Sequence, residues 1–198
     1  NERQISNDGV WSFDSVSFYT SSPVSSEEKK ITVSENNYYI LYENGSDFTV
    51  SQISVNTDVE TGSITSGGNA EYNGEARDVF FDSSEGLLYV LFNNSGNMGF
   101  LVYDENLVYQ PLKSVDNSGL TFNPKGIYIT NDRIHICGNQ GSNGTGHYII
   151  YDKNSLTQNV VSSTDNQEYK TVQVNKSDTS SFILGDNSSN RSECSIYV

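Results

Sequence analysis

The chain has 198 residues, 34% of them hydrophobic, and a formal net charge of −14 from 25 acidic and 11 basic side chains. No apolar run approaches the roughly 20 residues of a bilayer-spanning helix, so no membrane span is expected. An acidic surface without a basic run repels phosphate backbones, so nucleic acid is not an expected partner either.

In chain order, the first apolar run is "GVWSFDSVSFYT" (9–20), which stands apart from the later runs. Next come "ITV" (31–33), "YYILYEN" (38–44) and "FTVSQISV" (48–55). A second set comprises "ARDVFF" (76–81), "LLYVLFNN" (87–94), "GFLVYD" (99–104) and a run after the turn in "YDENLVYQPL" (103–112). A third set is "PKGIYI" (124–129), "RIHICGN" (133–139), "GHYIIYD" (146–152) and "YDKNSLTQNV" (151–160). The fourth is "KTVQV" (170–174), "SFILGDN" (181–187) and "ECSIYV" (193–198), with no further run behind it. Runs of 4–7 residues between Gly, Asn and Ser turns read as strands, and no window carries a helical apolar stripe. In the two Tyr-Asp-x-Asn turns, Asp and Asn suit the geometry because their side chains bond nearby backbone and tolerate left-handed conformations.

The sets repeat. The asparagines that close the second run, Asn44, Asn94, Asn139 and Asn187, are 50, 45 and 48 residues apart. Four short strands in that period suit the blades of a β-propeller. The middle runs "YYILY" and "LLYVLF" are apolar on both faces, as strands covered from both sides must be. With 13 Tyr and 9 Phe, the chain can fill such cores although aliphatics are few. The expected fold is therefore all-β: one domain over 1–198, a four-bladed propeller-like array of four-stranded antiparallel units at 31–66, 76–115, 124–163 and 169–198. The alternative is a β-sandwich. "ARDVFFDSSEGLLYVLF" with "GFLVYD" resembles LVIVD-type repeats, and "PKGIYITNDRIHICGN" resembles the opening of NHL- and YVTN-like blades. That resemblance implies a propeller and no particular activity.

The fourth unit lacks an outer strand, and 9–20 is spare. The spare strand is expected to complete the last blade, within this chain or in a neighbouring protomer; a fragment of a larger ring is a third reading. Strand donation or tandem repeats would give self-association. A chain that begins at Asn1 is expected to be a processed protein or a piece of a longer one.

Asn-x-Ser/Thr glycosylation acceptors begin at Asn44, Asn93, Asn143, Asn175, Asn187 and Asn190. The composition, with 23 Asn and 43 Ser plus Thr, yields about five by chance, so placement matters more than number. Asn44, Asn93, Asn143 and Asn187 each follow the second run of a unit, whereas Asn175 follows a first run. Cys137 and Cys194 are either two free thiols or one disulfide between adjacent units. His135 and His147 have no metal-ligand spacing and read as ordinary strand residues; no metal and no cofactor is expected. Trp11 is expected in a core. No catalytic constellation is visible, so the chain is expected not to be an enzyme. The leading functional expectation is an extracellular glycosylated structural or assembly domain of a surface coat or filament. The alternative is a ligand- or carbohydrate-binding adhesion propeller, and the third is a small hydrolase.

Overall fold

The computed structural model describes residues 27–197, apart from 45–46, 66–74, 95, 117, 120–122, 141–144, 165–166, 175–180 and 188–189. Side chains are further undescribed at 27–29, 43–44, 47, 94, 159–164, 167, 181–187 and 190–197. Four antiparallel sheets succeed one another. Sheet 1 holds β1 (Glu27–Val33), β2 (Asn37–Asn44), β3 (Asp47–Ser54) and β4 (Glu60–Thr65). Sheet 2 holds β5 (Glu75–Asp82), β6 (Leu87–Asn94) and β7 (Asn97–Asp104). Sheet 3 holds β8 (Asn123–Ile129), β9 (Arg133–Gln140), β10 (Thr145–Asp152) and β11 (Gln158–Thr164). Sheet 4 holds β12 (Gln167–Val174), β13 (Ser181–Asn187) and β14 (Asn190–Tyr197). In each sheet the strands lie in chain order, each paired with the next.

The two-faced middle strands explain the stacking. In β6, Leu88, Val90 and Phe92 join Tyr39, Leu41, Phe48 and Val50 of sheet 1. The alternate residues Leu87, Tyr89 and Leu91 join Ile127, Ile134, Ile136 and Tyr151 of sheet 3. A third core of Cys137, Tyr148, Tyr169, Val172 and Val174 joins sheets 3 and 4. Each sheet thus packs face to face on the next, which is a propeller-like array and not a pair of sheets in a sandwich.

The first strands β1, β5, β8 and β12 are neighbours in turn. Polar side chains tie them. Thr32 Oγ1 accepts the Phe81 N–H at 3.0 Å, and Asp78 Oδ2 accepts the Ile127 N–H at 3.0 Å. Both ties span 49 residues, so the repeat of the text is a repeat of contacts. At the third seam Asn139 does this work from β9. Its Oδ1 accepts the Tyr169 N–H at 2.7 Å, and its Nδ2 donates to the Tyr169 carbonyl at 3.2 Å.

Sheet 2 differs from the expected four strands. After the 103–108 turn, the segment behind β7 pairs with it irregularly: the Gln110 and Ser118 N–H groups reach the Val102 and Met98 carbonyls at 2.8 and 3.0 Å, and bridges form at Tyr109, opposite Tyr103, and at Val115, opposite Phe100. Pro111 breaks the ladder between them, because it has no N–H and a fixed φ. Residues Pro111–Lys113 coil outward as a short 3₁₀ turn. The Ser114 hydroxyl then takes the Val102 N–H at 2.9 Å. Sheet 4 has three strands among the described residues. Its proposed fourth strand, 9–20, and Trp11 lie outside the described residues. No helix of the described residues is long and apolar enough to cross a membrane.

Candidate functional site

In an antiparallel sheet whose strands pair in chain order, the first–second and third–fourth turns leave at one end. The second–third turn leaves at the other. The sheets share this orientation, because turns of one kind meet across the seams. The β1–β2 and β3–β4 turns of sheet 1 meet the turn after β7 of sheet 2. Lys153, behind β10 of sheet 3, meets Asp82 and Glu85 at the β5–β6 turn of sheet 2. The array therefore has two rims.

One rim carries the acceptor asparagines. Asn44 ends β2, Asn93 stands next to last in β6, Asn187 ends β13 and Asn190 opens β14. Asn143 falls between β9 and β10, outside the described residues, as does Asn175 behind β12. Every second–third turn thus has an acceptor in or beside it. Asn93 is half-buried and its Oδ1 accepts the Gly96 N–H at 3.0 Å, which fixes the turn and leaves the amide nitrogen out of that bond.

The opposite rim carries a polar dish of about 450 Å³ at the seam of sheets 1 and 2. Asn36, Asn37, Ser54, Asn56 and Thr61 line it from sheet 1, and Glu105 and Asn106 from sheet 2. Gln52 forms the floor. Its Nε2 donates to the Glu105 carbonyl at 2.6 Å and to the Tyr39 hydroxyl at 3.3 Å, and its Oε1 accepts from Thr61 at 3.1 Å. Among the described residues of the lining, Glu105 is the single charged one. Amides and hydroxyls both donate and accept, so the dish suits a neutral, hydroxyl-bearing ligand better than an anion.

The turn behind it is built by Asp104, whose Oδ1 accepts the N–H groups of Asn106 and Val108, both at 2.9 Å. Asp152 does the same for Asn154 at 3.0 Å and Ser155 at 2.8 Å. The left-handed positions fall on Leu107 and Leu156, with φ of 62° and 54°, and not on the neighbouring asparagines. Both leucines pack against the seam cores, which offsets the conformational cost.

His135 and His147 are not brought together. His135 is 2% exposed, with Nδ1 2.6 Å from the Tyr148 hydroxyl. Burial lowers its pKa to about 4, with the Arg133 charge adding to the effect. Burial lowers that of His147 as well. Because the folded His135 pKa lies below the unfolded value near 6.5, its contribution to stability is full above that pH. It falls away as pH drops towards 4, by up to about 3 kcal/mol. An NMR titration of the His135 ring is expected to show no protonation above about pH 5. Cys137 is a free, buried thiol whose pKa is pushed up by desolvation. The Cys194 side chain lies outside the described residues. Among the described residues no group of three or more His, Cys, Asp or Glu is placed to hold a metal ion.

No family model matches the sequence, and no curated protein matches it. Solved structures do. A chain of the nidogen/laminin complex aligns over 85% of this chain with a TM-score of 0.58 at 8% identity. An exo-β-1,3-galactanase from Phanerochaete chrysosporium, solved with β-1,3-galactotriose, aligns over 80% with a TM-score of 0.54 at 13% identity. This chain spans 62% and 41% of those two chains. The likeness is one of fold, a β-propeller arrangement of sheets.

Proposed function

We propose that the chain is an extracellular, glycosylated, non-enzymatic propeller domain serving as a structural or assembly unit, such as a repeating subunit of a surface coat or filament. The observation that carries this reading is the recurrence of an acceptor asparagine at the second–third turn of all four sheets, on one rim. Glycan there would cover that rim against proteases and against edge-to-edge association, leaving the opposite rim and the end faces for contacts. Two apolar side chains of the first strand of sheet 1, Ile31 and Val33, are 56% and 52% exposed, at the edge of a face whose centre, Ile40, Tyr42 and Ile53, is buried. Negative-stain electron microscopy with light scattering over rising concentration tests the assembly role. Ordered multimers or filaments are expected; monodisperse monomers at high concentration would sink it. A second reading, a binding module, is favoured by the all-polar dish, with a neutral saccharide as the ligand class.

A further inference from the structure

Lys153 is the most unusual side chain among the described residues. It comes directly after β10, its backbone N–H held by the Asp132 carbonyl at 2.9 Å. Yet its side chain is only 3% exposed and reaches into sheet 2. There Nζ contacts Asp82 Oδ2, whose side chain is 5% exposed, and Glu85 Oε1 at 2.7 Å. The other oxygen of Asp82, Oδ1, accepts the Ser84 N–H at 2.9 Å and the Ser84 hydroxyl at 2.7 Å. Glu85 is partly exposed and its second oxygen faces Lys113. The group lies at the rim end of the core between sheets 2 and 3, to which Leu87, Tyr89 and Leu156 belong. Burial opposes charge on Asp82 and Lys153 alike. Their contact outweighs it, so the carboxyl lies below and the amine above its ordinary pKa.

A buried lysine ion pair is a poor device for stability, since desolvation offsets most of the attraction. The arrangement around it has the parts of an acyl-transfer site instead. An amine touches a carboxyl group, two donors hold the oxygen on which charge would develop, and a second carboxylate touches the amine. We propose that Lys153 and Asp82 join as an intramolecular amide, a covalent staple between sheets 2 and 3, with Glu85 as the proton shuttle.

The step balances without a co-reactant. The charged pair is the resting form; the reactive form is the minor neutral one, reached when one proton moves from Nζ to Oδ2, and burial, which opposes charge on both groups, limits what that transfer costs. The Nζ lone pair attacks Cγ, and the C=O electron pair moves to Oδ1, held by the two Ser84 donors. Glu85 takes a proton from the cationic nitrogen and passes it to the Oδ2 hydroxyl. The Cγ–Oδ2 bond breaks, water leaves and the carbonyl re-forms on Oδ1. Of three ammonium protons, one stays on the amide and two leave in the water. The fixed contact supplies the proximity that replaces external activation.

Intact-mass spectrometry of the full chain, produced without glycosylation in a bacterial cytosol, tests this. The expected mass is about 18 Da below the sequence mass, with or without reductant. Trypsin is expected to spare Lys153 and to release one branched peptide joining residues 78–113 to 134–170. Lys153→Arg should restore the full mass. Asp82→Asn should show a deficit of about 17 Da, because ammonia leaves in place of water. Glu85→Gln, at a partly exposed position, should fold with an unchanged circular dichroism spectrum and form the bond at least about 100-fold more slowly. A wild-type chain of full sequence mass that trypsin cuts after Lys153 overturns the proposal and leaves an ion pair. A deficit that survives Lys153→Arg overturns it equally.

Discussion

Replacing Asn139 by alanine is expected to lower the unfolding free energy by about 2–4 kcal/mol. The residue is 9% exposed, and its amide closes two hydrogen bonds with the backbone of Tyr169. Those two groups belong to β12, where the ladder to β13 shifts register between Tyr169 and Thr171. Alanine would take the Asn139 partner away from a buried donor and a buried acceptor, at about 1–2 kcal/mol each. The loss should fall on sheet 4 first, because the bond is its polar tie to sheet 3. Urea unfolding measures the total. Hydrogen exchange locates it, with the Tyr169 amide losing protection before the amides of β6. Asn139→Asp should be no rescue: it keeps an acceptor for the N–H but turns a carboxylate oxygen towards the Tyr169 carbonyl.

Gly99→Ala is the second large effect, expected at about 3 kcal/mol or more. A Cβ at Gly99 would lie 2.4 Å from Phe92 Cζ and 2.4 Å from the Val115 carbonyl oxygen. Phe92 is 1% exposed and sits in the core between sheets 1 and 2. Its ring crosses the β6–β7 pair over the glycine. The ring could turn only by opening a cavity, and the carbonyl is fixed, since it accepts the Phe100 N–H at 2.9 Å. Neither neighbour can yield cheaply, in contrast to Gly86, where an added Cβ meets nothing within 4 Å. Thermal unfolding of Gly99→Ala beside Phe92→Leu/Gly99→Ala checks the cause. The smaller side chain in the double variant should recover part of the loss, and additive losses would show that the ring contact is not the source.

The strand text was legible because the middle strands are apolar on both faces. Leu87 to Phe92 already imply a sheet covered from both sides, and the two faces do divide between two seam cores. The 45–50-residue spacing was legible for the same reason, and it reappears as the two 49-residue ties from Thr32 and Asp78. The outer strand expected in sheet 2 is a broken edge, although "YDENLVYQPL" aligns closely with "YDKNSLTQNV". One residue, Pro111, separates a strand from a broken edge, and its weight was lost in the likeness of the turns. The leucines at positive φ were hidden as well: local propensity favours Asn there, and packing against the seam overrides it.

The polar features were the least legible. Glu105 and Lys153 occupy the same place in the two aligned turns, and both reach the preceding sheet. Glu105 takes Gln52 and Ser34 of sheet 1, and Lys153 takes Asp82 and Glu85 of sheet 2. The alignment therefore held a pointer to both the dish and the buried lysine. What it lacked was the direction of the side chain, since a charge in a turn is solvated far more often than buried. The acceptor asparagines are legible as turns, and their place after the second run of each unit puts them on one rim of a propeller.

The most direct test of the central claim is glycopeptide mapping of the protein isolated from its natural source. N-glycan is expected at Asn44, Asn93 and Asn143 and at one or both of Asn187 and Asn190, so that the second–third rim is covered around the array. Unmodified asparagine at all of these positions would contradict it.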